Sequence, residues 1–316
     1  MGKHLRGSAH AAVPTRKEWK EFARKCRPAL TQELQILAAD PNTHIAAGDR
    51  AMSRDSYALA AECFSRALQG DANNVEALQG LAIALVASEQ FDQAKPVYRQ
   101  LIDLCSDDPN GTTQQPGVVA RFNFAVTLSR LQEFDEATQV YQQILAAHHN
   151  YVEAWYNLAG IHYARGRLAD ARDAWKQVTL LCPRLASAHM QLGEVLLDMG
   201  EAEESIKEYS LATQISPEDA GAWLNLATAS QAAGNLGRAM IAAKQACKLT
   251  PGNPTAWACR GEILLEIHRA SGERKFLDEA IVAWKECVRL DPEQKKIRDL
   301  LNTYGLVPAS MPATRP

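Results

Sequence analysis

The 316-residue chain carries 34 Lys and Arg against 37 Asp and Glu, is 47% hydrophobic but only 7% aromatic, and has a net charge of -3. That length allows two ordinary domains or one elongated array, and the near-balanced charge excludes a chain-wide basic footprint of the kind that neutralises nucleic-acid phosphates. The longest apolar run, Leu81 to Ala87, falls far short of the roughly 20 residues needed to cross a bilayer.

Residues 1–30 hold eight basic residues against only Glu18 and Glu21, with no acid before Glu18. They lack the apolar stretch of a secretory signal, and Arg6 stands where N-myristoylation wants Ser or Thr. Two readings stay open: a weakly ordered basic arm on a cytoplasmic protein, or an organelle-targeting peptide. Pro14 and Pro28 are placed as first-turn prolines of two short helices, Thr15 to Cys26 and Pro28 to Ala39.

From residue 41 onward the sequence repeats itself. Trp155, Leu158, Ala159, Gly166, Leu168, Ala171, Trp175 and Pro183 are answered 34 residues later by His189, Leu192, Gly193, Gly200, Ala202, Ser205, Tyr209 and Pro217. A further 34 residues bring Trp223, Leu226, Ala227, Gly234, Leu236, Ala239, Ala243 and Pro251. Within 152–185, Trp155, Leu158, Ala159 and His162 recur at helical spacing, as do Leu168, Ala171, Trp175 and Val178. Gly166 ends the first helix and Pro183 stops the second, so each unit is a helical hairpin. Small residues at repeat positions 8 and 20 let the two helices approach, and an aromatic at position 24 fills the space beside them; these aromatics are core.

This pattern resembles the tetratricopeptide repeat family, with its W-x2-L-G-x2-Y, A-x3-F and P signature. Seven motifs follow: 41–74, 75–108, 118–151, 152–185, 186–219, 220–253 and 254 to about 294. The resemblance implies an all-α fold, a right-handed superhelical solenoid of antiparallel helix pairs over 41–292. Two insertions break the frame. Residues 109–117 are turn-rich and read as an exposed loop, and seven extra residues sit around 268–275. Each reads as a partner-facing element or as a tolerated surface insertion. Ile297, Leu300, Leu301 and Tyr304 form one apolar face of a capping helix within 293–306, and the Pro-containing tail 307–316 is expected to be disordered.

No nucleotide-binding glycine loop, zinc-protease helix, nucleophile elbow or C-x-x-C pair occurs. No enzyme activity, cofactor or metal is therefore expected. The adjacent His148 and His149 point in different directions from a helix end, which argues against a shared metal. The seven cysteines have no regular spacing and fit reduced thiols.

The resemblance further implies that first helices line a concave groove. Position 6 then reads Asn123, Asn157, Gln191 and Asn225 in four consecutive repeats. A carboxamide both donates and accepts, so such a row grips backbone peptide units whatever their side chains. It is similar to the asparagine ladder of the O-GlcNAc transferase repeat domain, with Gln191 departing from it; Asn is also common at this position, so a consensus surface residue is the competing reading. Beside it, position 5 gives Phe122, Tyr156, Met190 and Leu224, an apolar row that suits a partner segment or is covered by neighbouring repeats. Glu153, Glu194, Asp198, Glu262 and Glu266 fall on inward positions, which favours a partner carrying Lys or Arg. The carboxylate clamp of heat-shock cochaperones is not matched, because no basic residue flanks Asn157 or Asn225 at the required positions. The sequence thus predicts a non-enzymatic scaffold, adaptor or assembly factor that binds a protein or peptide and works within a complex. A structural subunit held through termini, insertions or convex face is the alternative.

Overall fold

The structure is a computed structural model that describes residues 41–105 and 115–304. The basic arm and its two expected helices, most of the 109–117 insertion, and the tail lie outside the described residues. Among the described residues there are fifteen α-helices and no strand, as the repeat predicts. They fall into two compact units divided between Ala137 and Thr138.

The first unit holds α1 (Pro41–Met52), α2 (Tyr57–Gly70), α3 (Val75–Ala87), α4 (Phe91–Leu104), α5 (Pro116–Arg130) and the opening turn of α6 (Phe134–Ala147). Each helix from α1 to α5 packs on the next, and α1 also touches α3. Gly48 and Ala60 let α1 and α2 approach: a Cβ on Gly48 would lie 2.7 Å from the Phe64 ring, which is fully buried. The end of the 109–117 insertion differs from expectation. Pro116 opens α5 and Gly117 is buried within it, because proline suits the first helical turn. Contacts between repeats 2 and 3 in this unit include ion pairs from Lys95 to Glu133 (2.6 Å) and from Arg99 to Glu136 (2.9 Å).

The second unit continues α6 and adds α7 (Val152–Ala164), α8 (Leu168–Leu181), α9 (Ala186–Asp198), α10 (Ala202–Ile215), α11 (Ala220–Ala232), α12 (Leu236–Leu249), α13 (Pro254–Ser271), α14 (Arg274–Leu290) and α15 (Lys295–Thr303). Successive helices pack from α7 to α15, and the first helices α9, α11 and α13 also touch in sequence. Here Tyr209 covers Gly193, where a Cβ would come within 2.9 Å of the ring, and the Ser205 hydroxyl donates to the Gly193 carbonyl at 2.7 Å.

Two backbone devices recur. At each hairpin turn the residue at repeat position 15 has positive φ: Asp55, Glu89 and Gln132, then Gly166, Gly200 and Gly234. The following N–H reaches five residues back, as in Gln90 to Leu85 (2.8 Å) and Arg167 to His162 (2.9 Å), which is the Schellman closure of a helix C-terminus. Between repeats, the position-4 side chain ties down the preceding loop. Trp155, Trp223 and Trp257 donate Nε1–H to the carbonyls of His149, Pro217 and Pro251, each at 2.8 Å. His189 takes the same role, with Nε2 3.1 Å from the Pro183 carbonyl and Nδ1 2.7 Å from a Glu208 carboxylate oxygen.

The extra residues near 268–275 become helix rather than loop: α13 and α14 run to 18 and 17 residues, against 13 and 14 for α7 and α8. Gly272, at φ 72°, closes the shorter turn. Beyond it α15 buries Ile297 and Leu301 against this last pair, and Tyr304 stacks on Trp284 with centroids 6.1 Å apart.

Candidate functional site

In the second unit, α7, α9 and α11 each contribute one amide at the same helical position: Asn157, Gln191 and Asn225. All three are half-buried, and none makes a side-chain hydrogen bond among the described residues. Phe122 and Asn123 belong to α5 in the first unit, where both are half-buried.

The apolar row beside the amides is partly consumed by packing. Tyr156, 37% exposed, rests edge-on against Trp175 with centroids 4.6 Å apart. Met190 packs on the cluster that contains Ile206, Tyr209 and Leu226, and Leu224 packs on Ala246, Cys247 and Ala256. Position 5 therefore seals neighbouring repeats while leaving an edge of each side chain accessible.

The predicted inward acids divide into two groups. Asp198 accepts from the Tyr163 hydroxyl at 2.7 Å, and Glu266 accepts from the Gln231 amide at 2.8 Å. Both bonds join position 12 of one first helix to position 13 of the next, 35 residues apart. Glu262 pairs with Lys296 of the cap at 2.7 Å. These three carboxylates are satisfied within the fold and offer a ligand less charge than the sequence suggests. Glu194 is half-buried and has no ion pair among the described residues. Its charge, behind the Asp198 hydrogen bond and burial, helps hold the Tyr163 phenol well above its ordinary pKa.

Sequence reading missed the role of Gln231 and the pairing of Tyr163. The signal was a donor and a carboxylate spaced one repeat plus one residue apart. Burial pushes the Cys259 thiol, on α13, up to about 11 despite a hydrogen bond to Thr228, and burial pushes Cys247 up to about 11. Such thiols stay protonated at neutral pH and are poor nucleophiles. His162 and His189 are buried packing residues. Among the described residues no cluster of three metal-ligating side chains occurs, and no helix is long and apolar enough to cross a membrane.

Comparison with known proteins places this geometry. Two family profiles, both described as tetratricopeptide repeat, match residues 122–183 and 190–254 for one and 51–110 for the other. No curated protein matches the chain. Among solved structures, the C-terminal part of a repeat-containing protein from Cytophaga hutchinsonii is 16% identical with a TM-score of 0.67, covering 81% of this chain and 98% of that one. A tetratricopeptide repeat protein from Parabacteroides merdae gives 15% and 0.55, covering 83% and 97%. YrrB, described as having an unusual peptide-binding site, gives 16% and 0.52, covering 58% and 91%. At these identities the likeness shows the fold.

Proposed function

Because the chain belongs to the tetratricopeptide repeat family, we propose that it is a non-enzymatic interaction scaffold that holds an extended partner polypeptide on the first-helix face of its second unit. The carrying observation is the row Asn157, Gln191 and Asn225. On the same helices Tyr163, Asp198 and Gln231 are bonded within the fold, whereas these three amides keep their donors and acceptors unused among the described residues. Packed helices lie about 8–10 Å apart, and an extended peptide advances about 3.3 Å per residue, so one amide meets about every third peptide unit. That spacing reads backbone and leaves side-chain choice to the edges of Tyr156, Met190 and Leu224. Glu194, beside Gln191 and without an ion pair among the described residues, favours a Lys or Arg in the partner. The peptide-binding site described for YrrB, a fold neighbour, supports a peptide as ligand.

A second reading has its own observation. Leu180, Ile241 and Val282, on the second helices α8, α12 and α14, are 73%, 69% and 65% exposed, as expected for a subunit docked through that side.

Peptides selected from a random library on the full chain separate the two. Their Kd, measured by fluorescence polarisation, should rise at least tenfold for an Asn157→Ala plus Asn225→Ala variant whose helical signal is intact. It should stay unchanged for an Ile241→Ser plus Val282→Ser variant. The reverse pattern would transfer the function to the second-helix side.

A further inference from the structure

A furrow of about 420 Å³ lies within the second unit, between the C-terminal half of α6 and helix α8, with α7 as its floor. Leu145, Trp155, Leu158 and Ala174 give it an apolar lining; Asp170 and Asp173, one turn apart on α8, stand at its rim. His162 also lines it. That imidazole is only 7% exposed, and its buried Nδ1 has no hydrogen-bond partner. Burial, then the nearby Arg167, holds its pKa below the ordinary value, so the ring is neutral and leaves a polar nitrogen unsatisfied.

The next repeat shows that this furrow is particular to its place. The residues 34 positions beyond Ala146 and Ala174 are Leu180 and Glu208, larger side chains, and Glu208 is already engaged by His189. Beyond Asp170 and Asp173 come Glu204 and Lys207, which neutralise each other at 3.5 Å. Beyond His162 comes buried Leu196. The junction of two repeats therefore combines two small walls, a carboxylate pair and an unsatisfied imidazole, and the equivalent positions one repeat on have none of them.

We propose that this furrow is a second binding site, which takes an arginine side chain from a partner polypeptide. The aliphatic stem lies along Leu145, Trp155 and Leu158, and the guanidinium fork spans the Asp170 and Asp173 carboxylates. Asp170 has no ion pair among the described residues. Asp173 is held by Arg172 Nε at 3.0 Å, but Arg172 also has Glu201 at 3.7 Å and keeps an acceptor when the ligand takes Asp173. The site lies on the second-helix side and does not depend on the amide row.

The test is titration of the full chain with N-acetyl-arginine methylamide, followed by NMR on the Trp155 indole and His162 ring resonances. Saturable shifts are expected. The neutral analogue N-acetyl-citrulline methylamide should bind at least tenfold more weakly, as should arginine with an Asp170→Asn plus Asp173→Asn variant. Ala146→Leu, an exposed change that introduces the side chain found in the next repeat, should block the shifts with the fold intact. Asn157→Ala plus Asn225→Ala should leave them unaltered. Absence of shifts, equal binding of citrulline, or full binding by the Asp-to-Asn variant overturns the proposal.

Discussion

The two units make the same hairpin turn from different residues. In the first, the left-handed position is filled by Asp55, Glu89 and Gln132 at φ 54°, 60° and 61°; in the second, by Gly166, Gly200 and Gly234 at 69°, 80° and 74°. A left-handed conformation costs an ordinary L-residue about 1–2 kcal/mol, yet the closing bond is as short at Glu133 (2.9 Å) as at Glu201 (2.8 Å). Helix pairing therefore dictates the turn, and glycine only removes its cost. The ties between repeats differ as well. Both units place a base near an acid of the next repeat, Lys95–Glu133 at 2.6 Å in the first and Arg172–Glu201 at 3.7 Å in the second, and the second adds ring N–H groups on loop carbonyls. The lesson is that a repeat fixes backbone geometry while residue choice sets local stability, and the glycine turns of the second unit should make it the more stable. Amide exchange should accordingly be faster in α1–α4 than in α7–α14.

The strongest way to break this contrast is to remove the centre of the second unit. Trp175, 2% exposed, packs against Ala159, Ala171 and Leu192, so Trp175→Ala should cost about 3–5 kcal/mol. Urea unfolding followed by circular dichroism should show the loss, and amide exchange should place it in α7–α10, making the second unit the weaker one.

A smaller effect sharpens the comparison by exchanging turn residues. No atom lies within 4 Å of a Cβ placed on Gly200, so Gly200→Ala isolates the backbone cost and should destabilise by about 1–2 kcal/mol. Gln132→Gly should move the other way, by no more than about 1 kcal/mol, because the unfolded chain gains freedom as strain is relieved. If Gln132→Gly destabilises, the turn in the first unit is not strained.

The smallest expected effect separates the ties. Lys95→Met should cost about 0.5 kcal/mol at low salt and less in 1 M salt, since the pair is partly exposed and screened. Trp223→Phe removes the indole bond to Pro217, and its cost should be insensitive to salt. Denaturation at two ionic strengths checks both.

Much of the fold was legible in the sequence because it follows from local chemistry at a fixed period. Gly166, Gly200 and Gly234 announced turns, and Trp175, Tyr209 and Trp284 announced the core. The faces of the capping helix followed from Ile297 and Leu301. The candidate face was legible as a register, which placed Asn157, Gln191 and Asn225 on successive first helices. Less legible was which polar residues on that face remain available. Asp198 and Glu266 look like free charges on a helix wheel and turn out to be acceptors for Tyr163 and Gln231. Their partners sit on the neighbouring first helix, and helical periodicity carries no information about a neighbour's side-chain reach.

By itself, then, the sequence determined the helices, their pairing and the family, and the helix ends in the uninterrupted repeats, because each depends on residues within one repeat. Tertiary structure decided what the surfaces hold. It turned the insertion near 268–275 into longer helices and made His189 a stand-in for an indole. It also opened a furrow beside His162 that Ala146 and Ala174 both line. Those features depend on the sizes of side chains from different helices that meet only after packing, so they belong to the assembled unit and not to any single repeat.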